Sequence, residues 1–294
     1  MKIRQQRAGL VWVAAGASLW GVDTILRRPL TSNLSSIQIV LMEHLILLAP
    51  LLLALWIWRG AWIKLRPVQW SAICGIAWGG SALGSICFTE AVRIGNPTSA
   101  VLLQKTQPLI ATVLAWIVLR EPLGRRFWLR FLLAMGGAYL VSFGFGVPDS
   151  GVSGAAASFA LAAASLWGAS TVLGRFVLRG VPFRVLTALR IVVAAPLLAV
   201  LARLRSPVWI PALSGHDLWF LVLMALIPGL LALLVYYRGL THTRASLAAV
   251  AELCFPATAT VLNWVVLGVR ISPAQIAGFV LIWAVILSWR RSSA

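Results

Sequence analysis

Apolar residues dominate this 294-residue chain in ten long runs, and most of the charged residues lie in the short segments between them. Each run has about twenty residues or more, the length that a helix needs to cross a hydrocarbon core of roughly 30 Å. Strands with alternating apolar and polar positions are not seen in the pattern. The runs predict ten membrane-spanning helices: residues 8–27, 36–58, 70–90, 97–119, 127–147, 153–174, 183–203, 217–238, 245–267 and 273–289.

The composition supports a membrane protein. Hydrophobic residues make up 61% of the chain, charged residues 11%, and the mean hydropathy is +0.93. A soluble core does not hide this much apolar surface, so we expect the lipid bilayer to surround the helices. Cys74, Cys87 and Cys254 all lie within apolar runs, and their spacing is not that of metal ligands. We therefore expect the cysteines to be packing residues.

Basic residues outnumber acidic ones by 25 to 7. In a soluble protein this excess would favour nucleic-acid binding. Here the charges separate apolar runs, and no basic stripe or aromatic platform motif accompanies them, so we expect no nucleic-acid partner. Basic residues near span ends instead mark the cytoplasmic side. Seventeen lie on the side of the N-terminus and six, Arg27 among them, on the other side, which predicts cytoplasmic termini.

The string ASLWG occurs at residues 17–21 and again at 164–168, which is 147 positions later. A longer match follows at offset 148, where PLIATVLAWIVL (108–119) and PATATVLNWVVL (256–267) share eight of twelve residues. These matches predict that the chain is a duplication, with one unit at residues 1–148 and a second at 149–294.

Each predicted unit contains five spans, and five is an odd number. The second unit must therefore enter the membrane from the opposite side, which produces an inverted repeat. Transporters that work by alternating access use this arrangement, with the substrate near the midplane between the repeats. Duplication of a scaffold without transport, and a channel, remain as alternatives.

The stretch FTEAVRIGNPTSAVLLQKTQPLIATVLAWIVLREPL, residues 88–123, resembles the EamA repeat of the drug/metabolite transporter superfamily. Residues 236–271 resemble the same pattern, although Val269 stands where the first half has Glu121. The resemblance implies a basket of ten helices around a central cavity in the inner membrane of a bacterium. It also implies export of amino acids or related metabolites, and the chain looks most like exporters of aromatic amino acids.

Ionisable side chains inside spans cost on the order of 3 kcal/mol on insertion scales, so they mark candidate functional positions. Lys105 lies in the fourth predicted span and Glu252 in the ninth, and Gln104 aligns with Glu252 at offset 148. If the fourth and ninth spans are neighbours, Lys105 and Glu252 share one site. Two readings stay open: an internal ion pair, or a cation and an anion that bind the two charges of a zwitterionic ligand.

Other intramembrane ionisable residues are Glu43 and His44 in the second span and Arg190 in the seventh. Glu43 and His44 leave open a coupling proton, with a structural histidine as the alternative. Arg190 is expected to bond backbone carbonyls, Glu43 or a ligand.

Three deep tryptophans, Trp20, Trp78 and Trp167, stand beside glycines. Equivalent tryptophans from the two repeats suit the stacking of an aromatic substrate, whereas lipid-facing or helix-packing indoles are the alternative. Pro108 and Pro256 occupy equivalent positions within spans, where proline bends a helix.

No enzyme motif, nucleotide-binding loop or metal-spaced cluster is found in the sequence, so we expect no enzyme activity, cofactor or metal. The predicted function is secondary export of small molecules: aromatic amino acids first, with threonine, methionine or related metabolites as further substrates. The alternatives are export of cationic drugs and, with less support, an intramembrane enzyme that handles lipids. The sequence does not give the oligomeric state. The predicted substrate-binding residues are Trp20, Glu43, His44, Trp78, Gln104, Lys105, Trp167 and Glu252.

Overall fold

The structure is a computed structural model that describes residues 2–95, 103–146, 154–267 and 272–291. In these ranges the chain is almost entirely helical, and no β-strand occurs. This is the all-α membrane fold that the apolar runs predict. Six helical runs in the described ranges are long and apolar enough to cross a membrane: Ala8–Leu30, Ser36–Ile57, Pro67–Ile94, Gly154–Val177, Phe183–Arg205 and Gly215–Leu240.

The α-helices that lie within the described residues of the first half are α1 (Lys2–Trp20), α2 (Asp23–Leu30), α3 (Ser36–Ile57), α4 (Arg59–Trp62), α5 (Pro67–Cys74), α6 (Ser85–Ile94), α7 (Gln107–Leu119) and α8 (Arg125–Phe143). A π-helical segment, Gly75–Gly84, joins α5 to α6 without a break.

The second half repeats this order. It contains α9 (Gly154–Val177), α10 (Phe183–Arg205), α11 (Gly215–Met224), α12 (Ala232–Leu240), α13 (Ala245–Ala251), α14 (Cys254–Leu267) and α15 (Pro273–Arg291). A second π-helical segment, Ala225–Leu231, joins α11 to α12 at the position equivalent to the first.

Two predicted spans are interrupted at equivalent points. Lys105 and Thr106 form a turn before α7, and Glu252 and Leu253 form a turn between α13 and α14. Pro108 lies in the first helical turn after one interruption, and Pro256 lies in the first turn after the other. Proline suits a first helical turn because its missing N–H has no partner there. The predicted bends are therefore breaks in the helix. Part of the fourth predicted span, residues 96–102, lies outside the described residues.

Helix packing follows the sequence repeat. Helix α1 packs against α12 and α14, and its equivalent α9 packs against α6 and α7. Helix α3 packs against its equivalent α10, and α8 packs against its equivalent α15. If each helix is replaced by its equivalent in the other half, the same list of contacts results. This is the pattern that a twofold axis between the two halves produces.

The polar positions lie between two clusters of buried apolar side chains. Along α3, residues 39–42 belong to one cluster, and residues 47, 51 and 55 belong to the other. Glu43 and His44 stand between these two groups, at the depth of a central cavity.

Candidate functional site

Helices from both halves line a central cavity, whose empty space is about 1290 Å³ when the part that is open to solvent is included. The wall combines aromatic rings with ionisable and amide side chains. Seven of the eight predicted substrate-binding residues line the cavity: Trp20, Glu43, His44, Gln104, Lys105, Trp167 and Glu252.

Trp78 is not among the lining residues. It is 47% exposed, and its indole N–H donates to the Val193 carbonyl oxygen at 3.1 Å. The structure therefore places Trp78 in the π-helical segment before α6 but not among the residues that line the cavity.

Two equivalent aromatic pairs line the cavity from opposite halves. The Trp20 and Tyr236 rings lie 4.9 Å apart, and the Trp167 and Phe88 rings lie 5.2 Å apart. Phe88 and Tyr236 are separated by 148 positions, which is the offset of the sequence repeat. Each pair joins a tryptophan of one half to a ring of the other half.

The tryptophans of the ASLWG motif also make equivalent hydrogen bonds. The Trp20 indole N–H donates to the Pro228 carbonyl oxygen at 3.1 Å, and the Trp167 indole N–H donates to that of Gly80 at 2.8 Å. Both acceptors lie in the π-helical segments, at offset 148.

The glycines of the motif serve helix packing. A β-carbon at Gly21 would lie 3.0 Å from the Phe255 carbonyl oxygen, and one at Gly168 would lie 3.2 Å from that of Gln107. Glycine therefore permits α14 to lie close to the first copy of the motif and α7 to lie close to the second copy. In each half, the repeated motif therefore supplies one tryptophan ring to the cavity wall and one glycine to a close contact between helices.

Glu252 lies at the helix break between α13 and α14 and is 7% exposed. Its carboxylate accepts hydrogen bonds from Tyr236 at 2.5 Å, Gln107 at 2.7 Å and Thr171 at 3.1 Å. All three donors are neutral.

Lys105 lies at the equivalent break before α7 and is 6% exposed. Within the described ranges, no carboxylate oxygen lies within 4.0 Å of its ammonium group. Its closest aromatic contact places the Nζ atom 5.8 Å from the centre of the Phe143 ring. The ion pair between Lys105 and Glu252, one of the two predicted readings, is therefore not formed.

Arg27 is the centre of a charged cluster that the sequence analysis missed. Its guanidinium donates two 2.7 Å bonds to Asp23, a 3.0 Å bond to Glu43 and a 2.8 Å bond to Thr89. Arg27 is only 5% exposed. We counted it with the basic residues that flank the spans, but it lies within α2 at the cavity wall. The spacing of Asp23 and Arg27, four residues apart on one helix, is the signal that could have indicated the pair.

Arg190 lines the cavity from α10. Its guanidinium donates to the Ser81 hydroxyl at 2.5 Å and to the Tyr237 hydroxyl at 2.8 Å. Neither contact is a backbone carbonyl or Glu43, which were two of the predicted partners. In the part of the chain that the structure describes, Arg190 forms no ion pair.

Some buried polar atoms on cavity-lining residues have no hydrogen-bond partner among the described residues: His44 Nε2, Gln104 Oε1 and Ser170 Oγ. The Nδ1 atom of His44 lies 2.8 Å from the Val40 carbonyl oxygen, so in a neutral ring Nδ1 carries the proton and Nε2 is an acceptor. Buried polar atoms normally have partners. These atoms are therefore available to a ligand or to water.

Within the described residues, no cluster of three or more His, Cys, Asp or Glu side chains has the geometry of a metal site. The site is instead a mixed aromatic and polar cavity with separate positive and negative groups. Such a wall is suited to a planar molecule with several hydrogen-bonding groups.

Comparisons with known proteins agree on one family. The model of the EamA-like transporter family matches residues 7–143 and 154–288. A riboflavin transporter, ImpX of Fusobacterium nucleatum, is 32% identical over 286 residues, covering 93% of this chain and 94% of ImpX. The uncharacterized transporter YwfM of Bacillus subtilis is 25% identical over 282 residues, covering 92% of this chain and 90% of YwfM.

The fold is also found among solved structures. One crystal structure superposes with a TM-score of 0.75 and 20% sequence identity, covering 96% of this chain and 98% of the other. At this identity the likeness shows the fold alone. Neither of the two named relatives is described as an amino-acid exporter.

Proposed function

Because this chain belongs to the EamA-like transporter family, we propose that it carries a planar aromatic metabolite across a membrane through the central cavity. The family and both relatives are transporters, so the chain is a transporter of small metabolites and not an enzyme. The observation that carries the proposal is the pair of equivalent aromatic contacts, Trp20 with Tyr236 and Trp167 with Phe88. Rings presented from both halves suit a flat ring system.

Riboflavin is the first candidate substrate. The relationship to ImpX supports it, since that protein is named a riboflavin transporter. A flavin has a flat ring system with carbonyl acceptors and an imide N–H, and it carries a chain of hydroxyl groups. The cavity offers donors at Lys105 and Arg190 and acceptors at His44 Nε2 and Gln104 Oε1.

Aromatic amino acids are the second candidate. Lys105 and Glu252 both line the cavity and are not paired with each other, which leaves a cation and an anion for the two charges of a zwitterion. This arrangement favours the zwitterion reading of the sequence analysis.

Alternating access is the proposed mechanism. The two inverted units are residues 1–148 and 149–294. Each unit contains one helix break, at Lys105 or at Glu252, and both breaks face the cavity where the two units meet. Discontinuous helices at the interface of two repeats are typical of substrate sites in secondary transporters. The proposed location is the inner membrane of a bacterium, with cytoplasmic termini and transport outward. Glu43, His44 and Glu252 are the candidate sites for a coupling proton.

Counterflow in proteoliposomes tests this function. Vesicles are loaded with unlabelled riboflavin, tryptophan, phenylalanine or threonine, and entry of the same labelled compound is followed with and without an imposed pH gradient. We expect saturable entry of riboflavin that unlabelled riboflavin inhibits, and its loss in Trp20→Leu and Trp167→Leu. If only amino acids enter, the second candidate is correct. Linear entry without competition would contradict a carrier, and rates independent of the pH gradient would exclude proton coupling.

A further inference from the structure

The two cavity tryptophans each face two partners of different kinds. The rings line the cavity, while the indole N–H groups bind main-chain oxygens of the π-helical segments in the other half, at Pro228 and Gly80. A residue that contacts both the substrate space and a helix segment can transmit the occupancy of one to the conformation of the other.

The π-helical segments differ from the rest of the fold in their winding. A π-helix is wound more widely than an α-helix, and π-helical turns are frequent at functional sites. If Gly75–Gly84 changed to α-helical winding, residues on either side of it would rotate relative to each other. Phe88 follows this segment on α6 and contacts the Trp167 ring at a tilted angle, so the change would alter the cavity wall. The segment Ala225–Leu231 precedes Tyr236 in the same way.

Close packing fixes one of these indoles in place. A β-carbon at Gly84 would lie 2.9 Å from Trp167 Nε1 and 3.1 Å from Trp167 Cδ1. The indole of Trp167 is rigid, so even one methyl group at Gly84 would displace it from the Gly80 carbonyl oxygen.

We propose that the indole N–H groups of Trp20 and Trp167 are conformational latches that hold the π-helical segments in the state described here. A substrate that stacks on the rings turns the indoles, which breaks their hydrogen bonds to Pro228 and Gly80. The π-helical segments are then free to change conformation in the next step of transport. Trp20 and Trp167 are thus positioning residues for the transport cycle in addition to being binding surfaces. This inference rests on the proposed transport through the central cavity.

The test separates the ring from its N–H group. Trp20→Phe and Trp167→Phe keep an aromatic ring but remove the donor. Trp62→Phe is the matched control because its indole N–H also donates to a backbone carbonyl, that of Leu55 at 2.8 Å, but lies outside the cavity and both π-helical segments. Gly84→Ala is a second variant that displaces the Trp167 indole without changing it.

The readout is accessibility of the cavity in the absence of any substrate. Ser85, which lines the cavity, is replaced by cysteine in a chain whose native cysteines, Cys74, Cys87 and Cys254, are replaced by serine. An impermeant maleimide is then added from either side of reconstituted vesicles. We expect Trp20→Phe, Trp167→Phe and Gly84→Ala to change the ratio of the two labelling rates by about five- to tenfold, the effect of one hydrogen bond on an equilibrium. Trp62→Phe should leave the ratio within about twofold, since its bond to Leu55 does not involve either π-helical segment.

Three results would overturn the proposal. The first is an unchanged labelling ratio in every variant. The second is an equal change in Trp62→Phe, which would indicate a general effect on packing. The third is an unchanged ratio with weaker riboflavin counterflow, which would leave the tryptophans as binding surfaces only. Because labelling needs no substrate, a failure of riboflavin to enter would contradict the first substrate candidate without affecting this test. If Trp167→Phe does not fold, Gly84→Ala and Trp20→Phe decide the question.

Discussion

At the scale of single residues, the charges of the cavity wall are satisfied in different ways. Arg27 has two carboxylate partners, Glu252 has three neutral donors, and in the described part of the chain Lys105 has no ion-pair partner. A buried charge with a partner serves stability, since removing one member leaves the other uncompensated. A buried charge without an oppositely charged partner lowers stability, and inside a membrane such a residue indicates a functional site where a ligand supplies the partner.

The sequence indicated much of this wall. Trp20 and Trp167 were found because the repeat places both in the same motif, and Lys105 and Glu252 because charges within spans are rare. Arg27 was missed, since a basic residue near the end of an apolar run follows the topology rule for flanking charges. Tyr236 and Phe88 were missed because aromatic residues are too common in spans to single out without the fold.

Lys105 is predicted to set the preference for charged substrates. Lys105→Met removes the cation, so the half-saturation concentration for zwitterionic amino acids should rise by about tenfold or more, because a charge-assisted hydrogen bond is lost. The value for a neutral aromatic compound such as indole should change by about twofold at most, since no charged contact is lost. Competition in the counterflow assay measures both. Equal increases for charged and neutral compounds would contradict this role.

Arg27 is predicted to be essential for stability. Arg27→Met leaves Asp23 and Glu43 without their cation, which should lower the free energy of unfolding by about 3–5 kcal/mol. Arg93→Met is the control because Arg93 pairs with Glu90 near the end of α6, where its side chain is 45% exposed. An exposed pair contributes about 1 kcal/mol or less. Thermal unfolding in detergent compares the two, and equal losses would count against the buried cluster.

At the scale of helices, the apolar runs located six long apolar helical runs to within a few residues, because length and hydropathy are set by the membrane. The interruptions were only partly foreseen. Pro108 and Pro256 indicated bends, but no residue pattern indicated the π-helical winding, which depends on packing between helices.

One inter-helix contact explains an acidic residue whose function the sequence left open. The Glu121 carboxylate follows α7 and accepts bonds from the Ala245 N–H at 2.8 Å, the Ser246 N–H at 3.0 Å and the Ser246 hydroxyl at 2.5 Å. It therefore caps α13 of the other half, where a negative charge is favourable. Val269, the equivalent position in the second half, has no carboxylate and lies outside the described residues.

Close glycine contacts are predicted to hold α8 against α15. A β-carbon at Gly137 would lie 2.9 Å from Ile282 Cγ1 and 3.0 Å from the Gly278 carbonyl oxygen. Gly137→Val should therefore destabilise the protein by about 1–3 kcal/mol, the usual cost of overpacking. Gly136→Val is the control, since a β-carbon there would meet no atom of another helix within 4 Å in the described part of the chain. Thermal unfolding in detergent should separate the variants, and similar losses would contradict the contact.

At the scale of the whole molecule, the repeated motif, the exchange of helix contacts between halves and the shared cavity all describe one arrangement. The repeat in the sequence predicts two related halves. It does not predict which helices of one half contact which helices of the other, because packing partners depend on shape as well as hydropathy.

The proposed inverted halves require both termini to lie on one side of the membrane. Reporter fusions at residue 1 and residue 294 should both be active only as cytoplasmic reporters, because basic residues concentrate on that side. A fusion inserted in the connection between α10 and α11 should report the opposite side. Termini on different sides would contradict ten crossings.

Binding of riboflavin to the purified protein tests the central claim most directly. Flavin fluorescence is quenched when the ring stacks on an indole, so titration reports occupancy of the tryptophan pair. We predict saturable quenching in the wild-type chain and in Trp78→Leu, with at least a tenfold weaker response when Trp20 and Trp167 are both replaced by leucine, because two stacking contacts are lost. Quenching that does not saturate, or that is the same in all three proteins, would contradict a substrate site between these rings.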